Sequence, residues 1–308
     1  VHLIINKAEQ RIRAGFRVIF YIIFASLVLV LNTIKIGGVQ FILTACISFG
    51  FFWIMYRFVD NRSSIKIAGI YLNNLWWKEF SWGAIVAAFV MTTIFLFQWI
   101  TGTIEFLGFS WNLPGSSNWI FPILIFFLQM ASVGFYEELI TRSYLLPNFK
   151  EGFTNGYINT TKATIIAVVL SSSIFGIMHI LNNYVTIFAV LNIILAGVML
   201  AIPYIITGRL AYSVGIHFAW NFFQGGVYGF RVSGIPIRGS IIQIQQGGDA
   251  LWTGASFGPE GGIIGTLGII STTILCLVMI KKSRTLIELH SNFRKTYLEF
   301  ERYSKEKE

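Results

Sequence analysis

The sequence predicts an all-α polytopic membrane protein, with about eight transmembrane helices enclosing an intramembrane polar site. Three observations carry this. Charged residues make up only 12% of the chain and hydrophobic residues 55%, whereas soluble domains carry roughly 25% charged residues. Uncharged apolar runs of about 20 residues recur along it, the length that crosses a hydrocarbon core at about 1.5 Å of rise per residue. Ionisable side chains also stand inside three of those runs, where a charge costs about 2.5–3.5 kcal/mol on insertion scales. A soluble all-helical core is the competing class, but it would have to hide runs that are normally read as spans.

The chain opens on a basic lead, 1–15, containing most of "NKAEQRIRAGFR". The apolar run behind this lead is too long for the core of a cleavable signal peptide. Residues 16–34, 39–58, 82–101 and 119–141 supply the first four spans, and 163–182 and 184–207 the next two. The seventh, 210–228, is short and rich in Gly and polar residues, so it spans only if protein surrounds it. The eighth covers 261–280, and the tail, 281–308, has apolar residues at helical spacing among mixed charges, the pattern of an amphipathic cytoplasmic helix. One transmembrane domain, 16–280, therefore lies between a lead and a tail, with no second globular domain and no internal repeat.

The net charge of +9 would raise nucleic acid as a partner in a soluble protein. Here the basic residues sit between apolar runs and read as bilayer orientation, so membrane lipid is the expected partner and nucleic acid is not. Lys7, Arg11, Arg13 and Arg17 precede the first span, and Arg57, Arg62, Lys66 and Lys78 separate the second from the third. Lys150 and Lys162 precede the fifth, Arg209 the seventh, and Lys281, Lys282 and Arg284 follow the eighth. The opposite loops hold only Lys35, Arg231 and Arg238. The bias predicts a multi-pass cell-membrane protein with both termini in the cytoplasm. Cys46 and Cys276 fall inside apolar runs and read as buried small hydrophobes rather than a disulfide or metal framework. The long outer loop, about 229–261, contains "GGDALWTGASFGPEGG". It is expected to be irregular and non-catalytic, its Asp249 and Glu260 having no convergent partner.

Three segments hold the polar residues. The fourth ends in "EELITR", with Glu138 and Arg142 four apart on one helix face and Glu137 about 100° round from Glu138. The fifth holds Phe175 and His179, and the seventh His217 and Asn221, each pair four apart. Taken singly, these are an interfacial charge cluster, a satisfied interfacial histidine, and hydrogen-bonding glue between helices. Depth argues for convergence. Counted from the basic connections, Glu137 lies about 15 Å deep, His179 about 20 Å, His217 about 10 Å and Asn221 about 16 Å. Such a layer needs a polar cavity, expected to admit water from the cytoplasmic side. A glutamate and a histidine can hold and deprotonate a water there, while a second histidine and an amide donate to an oxyanion. Alternatively, two histidines and a carboxylate hold zinc and lower the pKa of its water.

Glu137-Glu138-Leu-Ile-Thr-Arg142, Phe175-Gly-Ile-Met-His179 and His217-Phe-Ala-Trp-Asn221 resemble, in order, the EExxxR, FxxxH and HxxxN motifs of the CPBP family. That family comprises CAAX-processing endopeptidases and bacteriocin-processing (Abi) intramembrane proteases. The resemblance covers about residues 119–225, the motif core, and "TGASFGPEGGIIGTLG" is similar to a stretch that follows the third motif in bacterial members. It implies an eight-helix intramembrane endopeptidase acting on a peptide or protein substrate. Glu137 then activates the attacking water with His179, Glu138 and Arg142 support the site with Phe175, and His217 and Asn221 stabilise the oxyanion. The cofactor is none or zinc, the metal candidates being Glu137, His179 and His217. For a bacterial chain, peptide precursors such as bacteriocins are the implied substrates, and self-immunity an implied role. Two other classes compete. A non-cleaving scaffold or regulator of a partner protein would be expected to lose motif residues, and a transporter would favour internal symmetry.

Overall fold

Each of the eight apolar runs lies on a helix, and the polar residues within them decide how the helices pack. The computed structural model describes residues 4–6, 11–31, 39–62, 65–112, 118–154, 157–237, 239–283 and 293. Most of the tail, and with it the expected amphipathic helix, lies outside these residues, as do Lys7, Lys35, Arg238 and Arg284.

A short antiparallel pair, β1 (Ile5–Asn6) with β2 (Arg11–Ile12), precedes α1 (Ala14–Leu31). Helix α2 (Val39–Ile54) continues into a π-helical turn, Met55–Val59. Helix α3 (Asn74–Ile100) starts a full two turns before the expected span. Asn73 caps it by accepting the Trp76 N–H at 2.9 Å, a start signal that composition alone passes over. Strand β3 (Ile104–Phe109) follows. Then α4 (Ile120–Glu138), a π-helical stretch Leu139–Leu145 and α5 (Leu146–Phe153) form one run instead of stopping near 141. Pro147 is tolerated because it enters at the first turn of α5.

Helix α6 (Thr160–Ile177) and α7 (Ile187–Thr207) are both capped by side chains, with Asn159 accepting from Lys162 N–H and Thr186 from Ala189 N–H. Gly208, at φ 68°, ends α7 in the left-handed conformation that glycine adopts without strain. Helix α8 (Ala211–Asn221) is extended by a π-helical turn, Phe222–Val227. Strand β4 (Ile242–Gln246) pairs antiparallel with β3, and the short α9 (Ala250–Thr253) leads to α10 (Ile263–Ser283).

Among the described residues, six helical runs are long and apolar enough to cross a membrane: Val39–Val59, Asn74–Ile100, Ile120–Phe153, Thr160–Ile177, Ile187–Thr207 and Ile263–Lys282. They expose Phe89, Leu124, Val169, Leu191 and Ile274, an apolar surface suited to lipid. Helix α8 is short and almost wholly buried, packed among α3, α4 and α7, as its polar composition requires. It lies against α3 backbone to backbone. A Cβ added at Gly215 would fall on the Phe80 carbonyl, and one at Gly83 on the Tyr212 carbonyl.

One end of the bundle is tied by charges. Arg17 pairs with Asp60 and Glu151, Arg11 reaches Glu151 at 2.5 Å, and Arg209 pairs with Glu79. The basic connections that the charge bias grouped thus gather at one end, already neutralised in part. Cys276 is buried as expected, but Cys46 is exposed on the outward face of α2, where a small apolar thiol suits lipid.

Candidate active site

The EExxxR residues sit where α4 passes into its π-helical stretch. Glu137 and Glu138 end the α-helical part and Arg142 lies inside the wider turn. Such bulges recur at functional sites because the extra residue re-aims side chains. Arg142 Nη1 donates to Glu138 Oε1 at 3.1 Å and to Thr141 Oγ1, and its Nη2 donates to the Gly197 carbonyl at 3.0 Å. The guanidinium also stacks 4.4 Å from the Phe175 ring centroid. A cation with nearly no exposure is therefore held by a carboxylate, a carbonyl and a π-face, and burial without such partners would be prohibitive.

His217 joins the two glutamates. Its Nδ1 donates to Glu138 Oε1 at 2.9 Å, and its Nε2 stands 3.7 Å from Glu137 Oε2. Glu137 Oε2 is buried and has no protein hydrogen-bond partner, an orphaned acceptor beside the imidazole that calls for a donor. Phe175 sits between the motifs, edge-on to His179 and His217 with centroids 5.2 and 5.7 Å away.

His179 departs from the helix-face expectation. Helix α6 ends at Ile177, and His179 lies in the turn that follows, its N–H donating to the Gly176 carbonyl. Its Nδ1 is 2.8 Å from the Phe175 carbonyl. A carbonyl only accepts, so Nδ1 carries the proton and the Nε2 lone pair remains for the cavity. Glu137, His179, His217 and Asn221 line one cavity of about 410 Å³, together with apolar side chains such as Met130, Met199 and Trp220. The imidazole that approaches Glu137 is that of His217.

A metal ion does not fit this set. Among the described residues no three His, Cys, Asp or Glu are grouped to hold one. Each histidine holds Nδ1 against a carbonyl or carboxylate, which leaves Nε2 as its ligating atom, but the two rings and Glu137 are not grouped closely enough to share an ion. The metal candidates Glu137, His179 and His217 thus share a cavity without forming a ligand cluster.

The outer loop is not a bystander either. Val232, Ser233, Ile235 and Glu260 also line the cavity, and Glu260 has partners. Its carboxylate accepts from Ser233 N–H at 2.5 Å, from Ser233 Oγ at 3.2 Å and from Gln224 Nε2. Burial pushes this carboxyl up to about 7. Its partners are neutral and up to 36 residues away in sequence, so no charge pattern announced them. The only signal was one carboxylate in the Gly-rich GPEGG run.

Residues 118–223 match the family model described as type II CAAX prenyl endopeptidase Rce1-like. No curated protein matches the chain, and no solved structure does. The matched segment runs from the start of α4 to the end of α8 and contains all three motifs of the cavity. Over that segment, about a third of the chain, the protein is similar to the type II CAAX prenyl endopeptidase family.

Proposed function

We propose that the protein is an intramembrane endopeptidase in which Glu137 activates the water that attacks a substrate peptide bond. Glu137 takes a proton from the water, with the His179 Nε2 lone pair orienting it. The resulting hydroxide attacks the carbonyl carbon, and Glu137 returns the proton to the leaving amine as the tetrahedral intermediate collapses. The Asn221 amide donates to the oxyanion, and so does Nε2–H of His217 in its imidazolium form, held through Nδ1 by Glu138. Arg142 and Phe175 fix Glu138, and so the His217 ring, from behind. The substrate is a peptide or protein segment presented at the membrane, peptide precursors being the class favoured here, and the basic end of the bundle is cytoplasmic.

The observation that carries this reading is the unpartnered Glu137 oxygen facing His217 Nε2 across 3.7 Å in a shared cavity. Its test is Glu137→Gln, which keeps the shape and removes the base. Released peptides identified by mass spectrometry should disappear, with the purified rate falling at least about 10²-fold while the melting temperature stays close to the parent's. Parent-level cleavage by the Gln variant rejects Glu137 as base, and a parent that releases no peptide supports a non-cleaving regulator.

A further inference from the structure

We infer that Glu260 is a positioning residue that holds the turn 231–235 as one wall of the cavity and locks it to the elements carrying His179 and Asn221. The inference deepens the protease reading and rests on it for the identity of the site. Its geometry stands independently.

Ser233 is the junction. Its N–H and Oγ go to Glu260 Oε1, and its carbonyl accepts from Asn182 Nδ2 at 3.0 Å, three residues past His179. The other Glu260 oxygen takes Gln224 Nε2, three residues past Asn221, and the same nitrogen donates to the Arg231 carbonyl at 2.7 Å. One carboxylate therefore links the turn after α6, the turn after α8 and the extension of α8. The anchor is itself anchored, because Asn192 of α7 donates to the Glu260 and Gly262 carbonyls at 3.0 and 2.9 Å.

The surrounding backbone is built for this contact. Ser233 stands at φ 47° and Gly234 at φ 78°, a left-handed pair that needs outside support at the serine. Gly234 N–H donates to the Phe257 carbonyl at 2.7 Å. Gly258 has φ 115°, and a Cβ there would meet Arg231 O, Gln224 Nε2 and Glu260 Oε2. No other residue type leaves the carboxylate room. Glu260 is 7% exposed, and a buried carboxylate is tolerated only where such donors compensate it. The Gly-Pro-Glu-Gly-Gly run is thus the socket of a strut, and the wall it holds contributes Val232, Ser233 and Ile235 to the cavity. Those side chains face whatever flanks the scissile bond, so the strut acts on substrate binding rather than on the water.

The test uses the full chain in lipid nanodiscs, with Cys46→Ser and Cys276→Ala as background and spin labels at Leu181 and Ile235, both exposed cavity-lining positions. In the parent, pulsed electron resonance should give one narrow distance distribution. In Glu260→Gln, whose amide meets the Gln224 amide donor to donor, and in Gln224→Met, it should broaden. If the ordered wall falls to about a tenth of the population, KM for a reporter peptide rises about tenfold with kcat little changed. An unchanged distribution together with an unchanged KM overturns the inference, and so does a pure kcat loss with a narrow distribution. Should Glu260→Gln fail to fold, Gln224→Met leaves the carboxylate in place and decides alone. If the parent cleaves nothing, or Glu137→Gln still cleaves, the protease reading fails while the distance measurement still decides the role of Glu260.

Discussion

Arg142 shows at the scale of one residue why the site was legible. A guanidinium inside an apolar helix is so costly that it must be paired, and Glu138 four residues before it is the pairing that helix geometry offers. Both are fully buried and joined at 3.1 Å. What the sequence did not carry is the rest of the coordination, since the Gly197 carbonyl and the Phe175 face come from other helices. Arg142→Ala should cost about 3–5 kcal/mol, because it leaves a buried carboxylate without its cation. Arg142→Lys keeps the charge but loses the fork that reaches Glu138 and Gly197 together. Its melting temperature should fall between those of the parent and the Ala variant. Chemical denaturation in detergent orders the three proteins, and Lys no better than Ala would make the pairing, rather than the fork, irrelevant.

At the scale of elements, apolar runs marked every long helix because lipid-facing and core-facing positions are both hydrophobic. They marked the ends poorly. The start of α3 was set by the Asn73 cap, and α4 ran on because π-helical hydrogen bonding at Leu139–Leu145 changes no residue type. The β3–β4 pair was missed since β4 lies in the loop expected to be irregular and β3 in the connection between the third and fourth spans, for which no element was expected. The seating of α8 depends on Gly215, whose missing Cβ lets α8 meet Phe80 of α3. Gly215→Ala should therefore cost about 1–3 kcal/mol by overpacking. It should cost activity disproportionately, because His217 follows two residues later and a displacement of about 1 Å at a reacting group can lose about 10²-fold. Gly50→Ala, on α2 with open space at its Cβ, is the control and should change neither. Equal tolerance of both substitutions, in melting temperature and turnover, would remove close approach as the reason for the glycine.

At the scale of the whole molecule, the two ends of the bundle differ in kind. One end carries the Arg17–Asp60–Glu151 and Arg209–Glu79 pairs, which join α1, α2, α3, α5 and the α7–α8 connection. The exposed cavity-lining residues Leu181 and Ile235 belong instead to the turns that follow α6 and α8, helices that both start at the charged end. Access from the cytoplasmic side was expected from the charge bias, the counted depths and the need for water, none of which sees which turns close over a cavity. The lining argues for the opposite approach, from the end bearing those turns. Single cysteines in a Cys46→Ser, Cys276→Ala background test it in sealed vesicles. Lys162→Cys marks the charged end and Leu181→Cys the other, whichever way the protein inserts. A small polar thiol reagent applied from the face that labels Leu181→Cys should also label His217→Cys and Asn221→Cys. Labelling of those two only from the Lys162→Cys face would open the cavity through the charged end. Labelling from neither face would mean a dry cluster, and a hydrolase without water at Glu137 would no longer be tenable.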